Sequence, residues 1–414
     1  MSPTPRAALA LAVSGLAAVL LGPIVAIAGA VAIAVATAVD AWLARARVDV
    51  RCEHAPVVQR GRPTPFTLRA GEPAGLRVRT RQPLPPDLAL APQEGDATID
   101  GTLVAHRRGR FVLDRPAVRV TGPLGLGCTY RRAGEASELL VYPDLPGARR
   151  IALAVRRGTL AEARRTRGPL GLGTTFESVR DYVPDDDVRQ INWAATARLS
   201  RPMANQYRIE QDRDVVGLVD AGRLSAAPIG TATRLDLSLD ALLTVCAVAD
   251  ELGDRCGATA FADDVLRTVR PRRAGAGSVA RALFDLEPSP RESDYRRAFQ
   301  LVAGAKRSFV LVLADLVDEA AAASLLDALP VLARRHRVCV ATILDPDLEA
   351  LVGTPPEHID DVYAASIALD MRDSQRAVVA RLRAAGATVV EAAPQAFPNA
   401  CVREYLQAKA RARV

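Results

Sequence analysis

Histidine is scarce in this chain of 414 residues, and its scarcity argues against two kinds of site. The four histidines stand alone at positions 54, 106, 336 and 358. None has a second metal-binding side chain at the spacing that a zinc cluster uses. No Ser-His-Asp pattern or general acid–base pair emerges from the sequence either. The sequence therefore gives little support to an enzyme.

Cysteine is also sparse and irregularly spaced. The six cysteines lie at 52, 128, 246, 256, 339 and 401, and none forms a C-x-x-C motif. A disulfide framework or a zinc site would need closer or more regular spacing. We therefore expect buried free thiols, and a reducing compartment for the bulk of the protein.

Aromatic residues make up only 4% of the chain, and lysine occurs only at positions 306 and 409, so arginine carries the net charge of +7. Nucleic-acid-binding proteins concentrate basic residues in blocks with aromatic residues between them. Here arginine is scattered and interleaved with Asp and Glu. The composition predicts no nucleic-acid partner, and it favours a solvated surface or attraction to anionic lipid.

The N-terminal region has no charged residue from Ala7 to Val39. A single helix of that length would be about 50 Å long, well beyond the ~30 Å hydrocarbon core of a bilayer. Gly22-Pro23 interrupts the run near its middle, where Pro breaks a helix and Gly permits a turn. We therefore predict a transmembrane hairpin over residues 1–45, with helices at Thr4–Leu21 and Ile24–Leu43.

Basic residues flank this hairpin, with Arg6 before it and Arg45, Arg47 and Arg51 after it. The positive-inside rule then places both ends, and the domains that follow, in the cytoplasm. The expected location is the cell membrane with two spans. The alternative is one long or signal-type helix, which would move the later domains across the membrane. A signal peptide, however, should have an apolar region of only about 7 to 15 residues.

Residues 46–145 have the pattern of an all-β domain, because short alternating segments are separated by Pro and Gly clusters. This pattern predicts a sandwich or a partial barrel. The predicted strands are Arg47–Arg51, Phe66–Arg69, Leu76–Thr80, Thr98–Val104, Arg110–Leu113, Ala117–Val120 and Leu139–Tyr142.

From residue 213 to residue 414, near-continuous apolar strands alternate with helical stretches. This alternation predicts an α/β domain with a mainly parallel sheet covered by helices on both faces. The predicted strands are Val215–Val219, Gly257–Phe261, Ser308–Leu313, Arg337–Leu344 and Thr388–Glu391. The predicted helices are Leu235–Leu252, 275–285, 292–304, 319–335, 371–385 and one from Asn399.

The connector at 146–212 contains a dense polar segment that cannot be a core element, because so many charges are buried only when paired. Asp185–Asp187 lies among arginines, which favours an ion-paired junction over general acid–base work. We expect this segment to lock the connector onto the α/β domain. Its apolar anchors would be Phe176, Tyr182 and Trp193, and its paired charges Arg180, Asp186, Arg189 and Arg198.

The spacing of this segment resembles the signature of the bacterial family called domain of unknown function 58. The matching positions are Gly173, Phe176, Arg180, Tyr182, Asp186, Arg189, Ile191, Trp193, Ala197 and Arg198. Arg107–Phe111 and Gly122–Leu126 are also similar to runs in that family, although Gly122 stands where Asp is usual. The resemblance implies a membrane-anchored, non-enzymatic interaction protein. It further implies work with a MoxR-type AAA+ ATPase in complex assembly or envelope maturation.

The same resemblance implies a von Willebrand factor type A-like domain at 213–414. In such domains a D-x-S-x-S loop, a distant Thr and a distant Asp hold Mg²⁺ or Mn²⁺, hard cations that prefer oxygen ligands. The corresponding positions here are Asp220, Ser293 and Asp315, at strand ends or nearby loops where such folds bind ligands.

The loop after Asp220 departs from that pattern. Gly222 and Leu224 replace the two serines, and Arg223 adds a positive charge. The resemblance therefore implies a degenerate site that binds Mg²⁺ or Mn²⁺ weakly if at all, and no other cofactor. The alternative is that Asp220 and Asp315 cap helices or pair with arginines.

Two functions from different classes stay open on the sequence. The first is a membrane-anchored scaffold or adaptor whose strand-end face binds a protein partner. The second is a metal-dependent adhesion or ligand-binding module with its soluble part outside the cytoplasm. A hydrolase would need a nucleophile that the sequence does not reveal.

Overall fold

The structure is a computed structural model that describes residues 2–143, 147–155, 157, 175–183, 191–208, 213–316 and 319–411. The chain divides into two compact units, Met1–Tyr142 and Pro143–Val414. The first unit combines the apolar N-terminal helices with the β-rich region. The second contains the connector and the α/β region.

The first unit contains two helices and three sheets. Its helices are α1 (Pro5–Leu21) and α2 (Pro23–Leu43). Its strands are β1 (Ser2–Pro3), β2 (Val50–His54), β3 (Val57–Gln59), β4 (Thr64–Ala70), β5 (Arg77–Arg81), β6 (Leu88–Ala91), β7 (Glu94–Asp96), β8 (Thr98–Ala105), β9 (Gly109–Leu113), β10 (Ala117–Thr121), β11 (Gly127–Arg132) and β12 (Ser137–Tyr142).

The sheets of this unit run β1-β11-β10-β5-β7, β2-β4-β8-β6 and β3-β12-β9. Inward residues alternate with outward ones along β4, β5 and β8, the pattern of a sheet with one buried face. Phe66, Leu68, Ile99 and Leu139 are buried in the resulting core. Every strand predicted from the sequence here has an observed counterpart, whereas β1, β3, β6, β7 and β11 were not predicted.

The prediction of a transmembrane hairpin is wrong, and so are the two predicted membrane spans. The two helices and the break at Gly22-Pro23 are present. Among the described residues, however, no helix combines the length and the apolar character that crossing a bilayer requires. Helix α1 has 17 residues, or about 26 Å, which is less than the ~30 Å hydrocarbon core.

The C-terminal end of α2 packs instead on the sheet that contains β11. Asp40 is fully buried there, and its carboxylate accepts hydrogen bonds from the backbone N–H groups of Leu124 (2.9 Å), Leu126 (2.8 Å) and Gly127 (2.8 Å). A Cβ at Gly127 would lie 2.5 Å from the backbone nitrogen of Ala41. Glycine at this position therefore allows the helix to approach the strand closely.

The second unit is built on a six-stranded sheet. Its strands are β13 (Thr175–Asp181), β14 (Met203–Arg208), β15 (Asp214–Asp220), β16 (Pro228–Ile229), β17 (Ala232–Thr233), β18 (Arg255–Phe261), β19 (Val265–Arg272), β20 (Ser308–Leu313), β21 (Arg337–Ile343) and β22 (Thr388–Ala392). Its helices are α3 (Trp193–Leu199), α4 (Arg234–Glu251), α5 (Ala276–Leu283), α6 (Tyr295–Ala303), α7 (Glu319–Ala333), α8 (Pro346–Gly353), α9 (Ile359–Ala384) and α10 (Phe397–Arg411).

The large sheet has the order β19-β18-β15-β20-β21-β22. All its pairs are parallel except that β19 runs antiparallel to β18 at the edge. The central strands are almost wholly buried, as expected for a sheet covered on both faces. Because the strands are parallel, β15, β20 and β21 end at one edge, which we call the carboxyl edge.

Several elements of this unit differ from the sequence prediction, among them the unpredicted β13, β14, β16, β17 and α3. Strand β19 was not predicted, although its burial alternates residue by residue. Helix α8 was not predicted either. Helix α9 begins at Ile359 rather than at residue 371, and the carboxylate of Asp361 stabilises its first turn by accepting a hydrogen bond from the backbone N–H of His358 at 2.9 Å.

Candidate functional site

The three residues predicted to form a degenerate metal site lie together at the carboxyl edge. Asp220 is the last residue of β15, Asp315 follows β20, and Ser293 precedes α6. All three line one cleft. Among the described residues, its lining is Asp220, Gly222, Arg223, Leu224, Glu292, Ser293, Tyr295, Asp315 and Ser324. The parallel sheet therefore places these residues where α/β folds bind their ligands.

Asp220 is held by donors from the protein itself. One carboxylate oxygen accepts hydrogen bonds from the hydroxyl of Ser293 and from the backbone N–H of Gly222, the latter at 2.8 Å. The other oxygen accepts from the hydroxyl of Tyr295. Burial, and then the negative charge of Asp220, raise the pKa of Tyr295 well above its usual value. The tyrosine thus stays protonated and keeps donating.

Gly222 permits this arrangement. An ideal Cβ at position 222 would lie 2.2 Å from the hydroxyl oxygen of Ser293, so a larger residue would require Ser293 to move. The metal motif would have a serine at this position. Its replacement by glycine removes a hydroxyl ligand and also lets Ser293 reach Asp220.

Asp315 belongs to a second cluster beside the first. Arg234, the first residue of α4, donates from one nitrogen to Asp315 (3.0 Å) and to the backbone oxygen of Ile343 (3.2 Å). Its other terminal nitrogen donates to Asp345 at 2.8 Å. The side chains of Arg234 and Asp315 are only 11% and 9% exposed. One guanidinium therefore joins residues that follow β20 and β21 to the start of α4.

Burial raises the pKa of Asp315 to about 6. The positive charge of Arg234 opposes this shift, whereas the negative charges of Asp220 and Asp345 add to it. At neutral pH Asp315 is therefore an ionised group in a poorly solvated place. Its main compensation is the ion pair with Arg234.

These contacts do not fit a site for Mg²⁺ or Mn²⁺. Both oxygens of Asp220 already accept hydrogen bonds from protein donors, and Asp315 faces a guanidinium. An octahedral dication would have to compete with Tyr295 and Arg234 for these carboxylates. Asp315 is thus paired with an arginine, which is what the sequence analysis gave as the alternative to a metal site.

Part of the predicted junction signature is visible as a two-stranded ribbon. Strand β13, which carries Phe176 and Arg180, pairs antiparallel with β14. Tyr182 follows β13 and is half-buried, whereas Arg198 is exposed in the last turn of α3. The side chain of Phe176, and the whole of Gly173, Asp186 and Arg189, lie outside the described residues.

Trp193 does not serve as a buried anchor. It is the first residue of α3 and is 69% exposed. The helix starts there because Asn192 caps it, its side chain accepting a hydrogen bond from the backbone N–H of Ala195 at 2.9 Å. The prediction of a buried ring at position 193 is therefore wrong.

Sequence reasoning missed three members of the site, namely Arg234, Tyr295 and Asp345. Arg234 directly precedes an apolar helical stretch, so the sequence alone predicts a solvent-exposed residue in the first turn of a helix. Tyr295 follows Ser293 by two residues, and this proximity was the available signal. Asp345 precedes Pro346, a typical helix start, so its position could have been predicted, but its contact with Arg234 depends on the order of strands.

Comparison with known proteins identifies the family. A family profile described as "Protein of unknown function DUF58" matches residues 178–390, just over half of the chain. Two similar proteins are "Uncharacterized protein Rv1480" of Mycobacterium tuberculosis and "Uncharacterized protein Mb1516" of Mycobacterium bovis. Each is 26% identical over 185 residues, covering 42% of this chain and 56% of the relative.

The chain thus spans a little over half the length of the relatives that it matches. The matched residues 178–390 include β15, the cleft at the carboxyl edge and helices α8 and α9. The likeness to a von Willebrand factor type A domain stays a prediction. The match over residues 178–390 shows that the chain belongs to the DUF58 family.

Proposed function

We propose that the protein is a non-enzymatic interaction adaptor whose carboxyl edge binds a protein partner. The hydrogen bonds within the cleft support this proposal. The carboxylates of Asp220 and Asp315 accept hydrogen bonds from Ser293, Tyr295 and Arg234. At its mouth, Arg223 and Glu292 form an exposed ion pair at 3.4 Å. Such a rim offers both signs of charge to a partner, and surface charges of this kind set specificity and association rate.

The proposed partner is a MoxR-type AAA+ ATPase acting in complex assembly or envelope maturation. Family resemblance supports this partner, and the cleft supplies a surface on which a protein could dock. The alternative of a metal-dependent adhesion module has less support, because the carboxylates that would bind the metal already accept hydrogen bonds from other side chains of the protein.

Binding of the purified full-length chain to a MoxR-type ATPase from the same bacterium tests this proposal. Association is measured by analytical ultracentrifugation with ATP, with ADP and without nucleotide. We expect binding in at least one nucleotide state, and an at least tenfold weaker Kd for Arg223→Glu. Asp327→Arg, an exposed change on α7, is the matched control. Absence of binding in every nucleotide state would refute the ATPase partnership.

A separate assay tests the absence of catalysis. The chain is incubated with generic ester, phosphoester and peptide substrates, and turnover is compared with that of Asp220→Asn. We expect no turnover above background. Activity that disappears in Asp220→Asn would overturn the non-enzymatic assignment.

A further inference from the structure

Helices α8 and α9 form a hairpin beside the cleft. Helix α8 begins directly after β21 at the carboxyl edge, and α9 ends just before β22 begins at the opposite edge. Helix α9 has 26 residues, or about 39 Å, whereas β22 has five residues, or about 17 Å. Because α9 is much longer than the strand that it precedes, its first half extends past the carboxyl edge.

The two halves of α9 are packed differently. In the second half, Val378, Val379 and Leu382 are buried in the core cluster that includes α7 and β22. In the first half, Ala368 is the buried residue among those described, and no described residue of α8 is buried. An ion pair between Glu349 and Arg372 at 3.2 Å joins the two helices. The protruding part of the hairpin is thus held mainly by its own two helices.

An apolar ridge covers this protruding part. It consists of Ile359, Val362, Tyr363 and Ile367, which are 72%, 51%, 66% and 61% exposed. Their spacing of three and four residues places them along one side of the helix. Four large apolar side chains at this spacing are the anchors that an amphipathic helix inserts into a groove of a partner protein. A contiguous exposed apolar patch of this kind marks an interaction surface.

The charge around the ridge selects the partner. Residues 338–371 contain seven acidic residues (Asp345, Asp347, Glu349, Glu357, Asp360, Asp361 and Asp370) and no Lys or Arg, in a chain whose net charge is +7. Glu357, Asp360, Asp361 and Asp370 are exposed. A second copy would bring the same acids against each other, and an anionic lipid surface would repel them, since like charges in an interface are unfavourable.

We propose that the α8–α9 hairpin is a docking site for a partner protein that presents an apolar groove edged by Arg and Lys side chains. The groove takes the ridge, and the basic edge faces Asp360 and Asp370. The proposal deepens the proposed function, on which it rests, by adding a second contact surface on the same side of the sheet as the cleft. Apolar anchors supply most of the affinity in such interfaces, and the acids supply steering and specificity.

Site-specific photocrosslinking in the bacterium that produces the protein tests this docking site. The full-length chain carries a photoreactive phenylalanine analogue at position 363. The matched control carries it at position 331, because Val331 is an exposed apolar residue of α7 (55% exposed). We expect one protein to crosslink from position 363 and not from position 331. Crosslinks to the chain itself or to lipid, or none above the control, would overturn the proposal.

The crosslinked protein is then identified by mass spectrometry, purified, and titrated against the purified chain. We expect Tyr363→Ser with Ile367→Ser, and separately Asp360→Arg with Asp370→Arg, to weaken Kd at least tenfold. Raising the salt concentration should also weaken binding. The controls Val331→Ser and Asp327→Arg should leave Kd unchanged. Binding that is indifferent to charge reversal and to salt would contradict a basic-edged groove.

The identity of the captured protein separates the two proposals. If it is not a MoxR-type ATPase but shows the expected variant effects, the docking site stands, and the ATPase partnership is decided separately by the ultracentrifugation assay. If a MoxR-type ATPase binds the chain with unchanged Kd for all hairpin variants, the adaptor function stands and the docking site is refuted.

Discussion

Replacing Arg234 by Met would remove the positive charge that stabilises the buried carboxylate of Asp315. Arg234 contacts Asp315 at 3.0 Å and Asp345 at 2.8 Å with its side chain largely excluded from water. Removing one partner of a buried ion pair typically costs about 3–5 kcal/mol, because the other charge is left without compensation. We expect Arg234→Met to lower the free energy of unfolding at pH 8 by that amount.

The pH dependence makes this prediction specific. In the native protein the pKa of Asp315 is about 6, against an ordinary value of 3.8. The folded state binds this proton more tightly than the unfolded state does. Above pH 6 the ionised carboxyl therefore lowers the free energy of unfolding by about 3 kcal/mol, because a pKa difference converts at ~1.4 kcal/mol per unit. That unfavourable contribution diminishes as the pH falls through 6 and disappears below 3.8.

Loss of Arg234 raises the pKa of Asp315 further, since the positive charge of the arginine is what lowers it. At pH 5 the carboxyl of the variant is therefore neutral in the folded state. The loss of stability should shrink there to about 1 kcal/mol, the typical value for lost hydrogen bonds. Urea denaturation followed by circular dichroism at pH 5 and pH 8 measures both values.

Two controls accompany this experiment. Arg223→Met removes an exposed ion pair with Glu292 and should change stability by less than about 1 kcal/mol. The double variant Arg234→Met with Asp315→Asn should recover at least half of the loss at pH 8, because the buried charge of Asp315 is removed together with its partner. An equal loss at pH 5 and pH 8, or a double variant no more stable than the single one, would refute the reasoning.

Three further predictions concern other parts of the chain. Asp40→Ala leaves the N–H groups of Leu124, Leu126 and Gly127 without their acceptor and should cost about 1–3 kcal/mol, with faster hydrogen exchange at Leu126 and Gly127; unchanged exchange would contradict the role of Asp40. Trp193→Ala should change stability by less than about 1 kcal/mol, because the ring is largely exposed; a loss of about 3 kcal/mol in a thermal melt would show that the ring is buried. Isothermal titration with Mg²⁺ or Mn²⁺ should show no micromolar binding; such binding, if abolished by Asp220→Ala, would show that Asp220 holds a metal and would refute the expectation.

The sequence predicted the central sheet well because its strands are nearly continuous apolar runs. Ser308–Leu313 is buried at every position, and such a run between helical stretches has few other interpretations. Strand β19 was missed for the opposite reason. It is an edge strand with Arg at alternate exposed positions, so its composition resembles that of a polar loop.

The site was only partly predictable. Asp220 and Asp315 could be placed at the carboxyl edge because each follows an apolar strand. The contact between Arg234 and Asp345, which are 111 residues apart, depends on the order of β20 and β21 in the sheet, and no local pattern contains that order. The apolar N-terminal segment misled the sequence prediction most. Its hydrophobicity indicated a transmembrane hairpin, and nothing in that pattern showed that Asp40 would be buried against β11.

Asp345 uses its two carboxylate oxygens for different purposes. One accepts the backbone N–H of Asp347 at 3.0 Å and so caps α8, while the other accepts from Arg234 at 2.8 Å. The base of the hairpin and the floor of the cleft are therefore joined through one side chain. Any tilt of α8 that carries Asp345 away from Arg234 would leave Asp315 as the remaining carboxylate partner of that guanidinium. Asp345 thus couples the start of α8 to Arg234 at the sheet edge, in addition to the packing of α9 on α7 and β22.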